Sequence, residues 1–138
     1  MKKQVLFAAA IAAGLFAASS VFADTLTFTA KMDGASETPP TDSKGTATAD
    51  VKVDTAAKTI SWTIKSADLT GPATMAHFHG PAAVGVKAPP EIDISKSIDS
   101  GTSPITDAQL ADLQAGKLYL NIHTAKFPDG EIRGQVVK

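Results

Sequence analysis

Alternation of apolar and polar residues with a period of two runs through nearly all of the chain after position 24, and it limits the fold more than any other feature. In "LTFTAKM", Leu26, Phe28, Ala30 and Met32 share one face, with threonines and Lys31 on the other. "TATADVKV" repeats this with Ala47, Ala49, Val51 and Val53, and "TISWTIK" with Ile60, Trp62 and Ile64. "PEIDISKSI" does so with Ile92 and Ile94, "KLYLNIHT" with Leu118, Leu120 and Ile122, and "GEIRGQVV" with Ile132, Gly134 and Val136. Each run is bounded by Gly, Pro, Asp or Ser, as separate strands are. One face in and one face out defines antiparallel strands packed as a sandwich or barrel, so the expected fold is all-β. A single segment departs from it. "ITDAQLADLQAG" has Thr106 as N-cap with Gln109 three residues on, Ile105 and Leu110 spaced as a hydrophobic staple, and Gly116 placed to stop a helix. It predicts one short helix from about Asp107 to Ala115. Two long loops, Asp33–Lys44 and Gly80–Pro90, interrupt the strands.

The first residues read differently. Lys2 and Lys3 precede an apolar, alanine-rich run from Val5 to Ala18, and Val21-Phe22-Ala23 ends on a small residue. This is the pattern of a secretory signal peptide over residues 1–23, with cleavage after Ala23 and one domain over residues 24–138. The run is too short for a membrane span and no stop-transfer pattern follows, so no membrane span is expected once the leader is cut. A periplasmic or secreted location follows. Of the 13 Lys and Arg, Lys2 and Lys3 fall in the leader, so the 14 acidic side chains outnumber the basic ones that remain. No basic patch appears, which argues against a nucleic-acid partner. The chain has no cysteine, so an exported domain of this size rests on its core alone and offers no thiolate to a metal.

Histidine is scarce, three in all, and two of them stand in "AHFHGPA". With Ala76 and Phe78 facing the core, strand parity sends Met75, His77 and His79 together to the outer face. Two imidazoles two residues apart, roughly 6–7 Å between Cα atoms, both reach a single ion. In "LYLNIHT" the same parity sends Tyr119, Asn121 and His123 outward. For Ile122 and Ile132 to share the core, His123 must face an odd-numbered residue, Glu131 or Arg133. The candidate metal ligands are therefore His77, His79 and His123, with Met75 or an outside ligand completing the set. Imidazole suits copper, zinc, iron and nickel, and a thioether tilts the choice towards copper. The competing reading is structural, with His77 and His79 anchoring the "GPAAVG" loop and His123 paired with Glu131. No nucleophile elbow surrounds Ser61 or Ser66, and no glycine-rich phosphate loop exists.

"DGASETPP", "AHFHGPA" and "LYLNIHTAKFPDGEIRGQ", in that order, resemble the CHRD (chordin) domain family, in its single-domain exported bacterial type. The resemblance spans essentially the whole of residues 24–138. It implies a Greek-key, immunoglobulin-like barrel similar to copper/zinc superoxide dismutase, with His77, His79 and His123 as the ligands of one copper ion. There is no fourth histidine, so a binuclear centre is not implied. The expected function is a non-catalytic exported binding module with a mononuclear copper site on the outer face. The alternatives are a metal-free domain that binds an unknown protein partner and a superoxide dismutase-like copper enzyme.

Overall fold

The computed structural model describes residues 12–18, 22 and 24–138. The leader and its cleavage position at Ala23 lie largely outside them. Residues 12–18 are exposed and belong to no helix or strand.

Eight strands and one helix follow: β1 (Thr25–Asp33), β2 (Thr46–Asp54), β3 (Thr59–Ala67), β4 (Ala73–His79), β5 (Pro90–Asp93), β6 (Ser100–Pro104), α1 (Asp107–Gln114), β7 (Tyr119–Thr124) and β8 (Ile132–Gln135). All paired strands are antiparallel, in the order β5-β4-β7-β8-β1-β2-β3-β6. The all-β expectation holds. The sheet curls until its two edges nearly meet, and the connection between β5 and β6 spans the gap. There Ile94 N donates to Ala76 O at 3.0 Å, Ile64 N to Asp99 O at 2.8 Å, and Trp62 Nε1 to Ser97 O at 2.8 Å.

Alternation decides what fills the barrel. In β1, β2 and β3 every second residue is buried, from Phe28, Ala30 and Met32 to Ile60, Trp62 and Ile64. Phe78 from β4 meets Trp62 edge-on, with ring centroids 6.1 Å apart, and ties the two halves of the sheet together. Packing of this kind replaces disulfides as the source of stability.

The helix forms where its caps predict, Asp107–Gln114. Thr106 Oγ1 accepts from Gln109 N at 3.1 Å while Gln109 Oε1 accepts from Thr106 N at 3.0 Å. Strand β6 has no counterpart in the sequence reading. "SGTSP" offers no apolar alternation, and it joins β3 through main-chain pairing, with Gly101 directly opposite Trp62.

The outer face of β7 is the second departure. All six of its residues are buried, including Tyr119, Asn121 and His123. The two long loops fold over it as a roof. Thr41 Oγ1 donates to Glu131 O at 2.8 Å and Ser43 Oγ to Glu131 Oε1 at 3.0 Å, which pins the loop of residues 34–45. Gln135 Nε2 donates to Ala82 O at 2.8 Å, and Ala88 N to Tyr119 Oη at 3.1 Å, which pins the loop of residues 80–89.

Candidate metal centre

Three adjacent strands build the centre. The β4–β7–β8 pairing sets Met75 opposite His123, His77 opposite Asn121 and His79 opposite Tyr119, then Asn121 opposite Arg133. Side chains of one parity on neighbouring strands share a face, so all three histidines emerge together. The His77 ring centroid lies 5.4 Å from that of His79 and 5.2 Å from that of His123. One nitrogen from each ring falls within 4.8 Å of the others. The juxtaposition that parity alone left open is present.

The hydrogen bonds fix which nitrogens are free. His79 Nδ1 is 2.9 Å from Ala88 O, and His123 Nδ1 is 2.8 Å from Pro128 O. A carbonyl oxygen only accepts, so each Nδ1 carries a proton and each ring turns its Nε2 inward, where Asn121 Oδ1 stands 2.9 Å from that of His79 and 3.1 Å from that of His123. His77 is the reverse. Its Nε2 faces Asp93 Oδ1 at 3.7 Å, while its Nδ1 is buried with no hydrogen-bond partner among the described residues. The nitrogens turned towards a common space are thus His77 Nδ1, His79 Nε2 and His123 Nε2. Second-layer carbonyls and carboxylates that hold ring orientation in this way are the usual surroundings of metal-ligating histidines.

Electrostatics favour neutral imidazole. Burial, followed by the neighbouring His123 and His79 rings, pushes His77 below its ordinary value. Burial does the same for His79. A neutral ring is the form that binds a metal. The donor set therefore fits one ion of the kind that imidazole prefers. At metal–nitrogen distances of about 2.0–2.1 Å the three nitrogens would draw closer than they stand here.

Beside the His79 and His123 rings lies a pocket of about 250 Å³, walled also by Asn121, Tyr119, Arg133 and Glu37. Tyr119 stacks on His79 with centroids 4.8 Å apart and planes 4° from parallel, and carries the Arg133 guanidinium 3.5 Å over its face. Burial raises the Glu37 carboxyl above its ordinary value. Gly130, at φ 125°, makes room beside it, since a Cβ there would stand 2.5 Å from Glu37 Oε1.

The register settles the open choice of partner for His123, and the competing structural reading fails in one part. His123 does not pair with Glu131. The β7–β8 register carried one step further sets Glu131 across from it, but the carboxylate turns to Ser43 Oγ and Thr70 N instead. The face that carries the histidines is also not open surface, since His79 and His123 are only 9 % and 7 % exposed. Met75 stands on the same face but is 41 % exposed. Asn121, Tyr119 and Glu37 were not singled out as site residues from the sequence. Parity did place Asn121 and Tyr119 outward, and Glu37 lies inside the quoted "DGASETPP".

The fold and the cluster define a class: an antiparallel β-barrel with a roofed three-histidine cluster on its wall. The CHRD domain model matches residues 28–136, and the chain belongs to the CHRD domain family. No curated protein and no solved structure matches it.

Proposed function

We propose that this CHRD-domain protein is an exported, non-catalytic binding module that holds one copper ion through His77, His79 and His123. The observation that carries the reading is the pair of carbonyl-locked imidazoles, His79 and His123, turning bare Nε2 atoms towards the orphaned Nδ1 of His77. Imidazole suits copper, and among divalent first-row metals copper binds such nitrogen sites most tightly, which supports the choice of copper. Bound there, copper would supply a redox-active, Lewis-acidic centre. The protein's part is to hold the rings fixed and to keep bulk water off them with the two loops. Export rests on the leader pattern of residues 1–23. No helix among the described residues is long and apolar enough to cross a membrane.

Titration calorimetry and EPR of the purified protein with Cu(II) test the reading. One equivalent bound with nitrogen hyperfine structure is expected, lost in His77→Ala combined with His123→Ala. Unchanged binding in that double variant refutes it.

A second reading, a metal-free module for a protein partner, draws on a groove of about 490 Å³ between Pro39-Pro40 and Phe127-Pro128 that shares Glu37 and Lys87 with the histidine pocket. Protein without bound metal after purification from copper-supplemented cells would favour it.

A further inference from the structure

We propose that Asn121 supplies the fourth ligand of this centre through its side-chain oxygen and thereby closes it to outside ligands. The inference rests on the three-histidine reading above and adds the residue that completes it.

Asn121 Oδ1 lies 2.9 Å from His79 Nε2 and 3.1 Å from His123 Nε2. Both rings already spend their proton on a backbone carbonyl through Nδ1. Two bare nitrogens and a carbonyl oxygen therefore face one another at hydrogen-bond distance with no hydrogen to share. Lone pairs converging in a buried place need a positive charge between them. Two ligands held at about 2.0–2.1 Å from one ion stand roughly 3 to 3.5 Å apart, close to the spacing seen here.

The position of Asn121 supports the same role. It is 4 % exposed and sits on the central strand, opposite His77 on one side and Arg133 on the other. Its Nδ2 lies beside the space over Gly130, near Glu37 Oε1, a buried atom that has no hydrogen-bond partner. The amide thus stands with its oxygen turned inward, to the two Nε2 atoms. Met75, the other candidate for a fourth ligand, is an order of magnitude more exposed, at 41 %.

The chemistry has a consequence. An amide oxygen is a hard ligand, so three imidazoles with it favour Cu(II) over Cu(I). Four protein ligands leave no open position, which is the mark of a holding site and not of a turnover site.

The test uses the copper-loaded protein with Asn121→Ala, Asn121→Asp and Met75→Leu. Affinity is read by chelator competition, geometry by Cu(II) EPR, and openness by azide titration of the visible spectrum. Wild type, Met75→Leu and Asn121→Asp should hold Cu(II) with a spectrum that azide leaves unchanged. Asn121→Ala should bind at least about 10-fold more weakly and develop an azide band. Asn121→Asp, of the same shape, separates a lost ligand from a lost fold. Asn121→Ala binding as tightly as wild type, or more tightly, with an unaltered spectrum would overturn the inference and leave the three-histidine reading standing. Loss of the signal in Met75→Leu would transfer the role to Met75. A wild-type protein that takes up no Cu(II) would remove both.

Discussion

Glu131→Ala should destabilise the barrel by about 3 kcal/mol. Glu131 is fully buried, and its Oε1 accepts from Ser43 Oγ and from Thr70 N, each at 3.0 Å. Truncation strands both donors and leaves a void where the carboxylate stood. Thr70 is exposed and Ser43 half-buried, so each stranded donor costs about 1 kcal/mol and the void adds the remainder. The bond from Thr41 Oγ1 ends on the Glu131 main-chain oxygen and survives. Against a total stability of about 5–15 kcal/mol this is a large share. With a urea m-value of about 1–3 kcal/mol/M, the unfolding midpoint should fall by roughly 1–3 M. Glu131→Gln keeps an acceptor of the same shape and should lose less than half as much. Equilibrium urea unfolding followed by tryptophan fluorescence is the assay, since Trp62 is the only tryptophan and lies in the core. An alanine variant within about 0.5 kcal/mol of wild type would refute the reasoning, because the loop of residues 34–45 would then be held by something else.

Gly101→Val should cost about 1–3 kcal/mol in thermal or urea unfolding by overpacking, since a Cβ there would stand 2.5 Å from Trp62 Cζ2; an unchanged melting curve would contradict the close approach of β6 to that ring. The metal-free protein should lose stability as pH falls below about 6.5. His77 and His79 have folded values lowered by burial, so the unfolded chain binds more protons in that window, and the stability they contribute is complete above the unfolded value and lost as pH drops through the folded one. Glu37 is shifted upward and contributes a slope of opposite sign, so the comparison is made in Glu37→Gln with a chelator present. Equal urea midpoints at pH 7.5 and 5.5 in that background would contradict the burial of the rings.

Most of the barrel is written in alternation because a half-buried strand must separate its faces. Phe28 through Met32 and Ile60 through Ile64 are legible for that reason, and Thr106 with Gln109 makes the helix equally plain. β6 is not, because its hold on β3 is main-chain pairing and the absence of a side chain at Gly101. Parity alone made the outward direction of the three histidines legible, and the strand order then brought them together. Their surroundings were not, since the carbonyls of Ala88 and Pro128 reach the rings only once the loops close over β7. Asn121 shares the parity of His123, yet a neutral amide gives no signal of its own until the imidazoles on either side are in place. The His123–Glu131 register was readable to within one choice, but the direction of the carboxylate depends on Ser43 and Thr70, 88 and 61 residues away in the chain.

Anomalous diffraction at the copper absorption edge, from crystals of the protein grown with one equivalent of Cu(II), addresses the metal assignment most directly. A single strong peak bonded to His77 Nδ1, His79 Nε2 and His123 Nε2 is the predicted result. A map with no peak among these rings, or with copper held only at surface carboxylates, would contradict it.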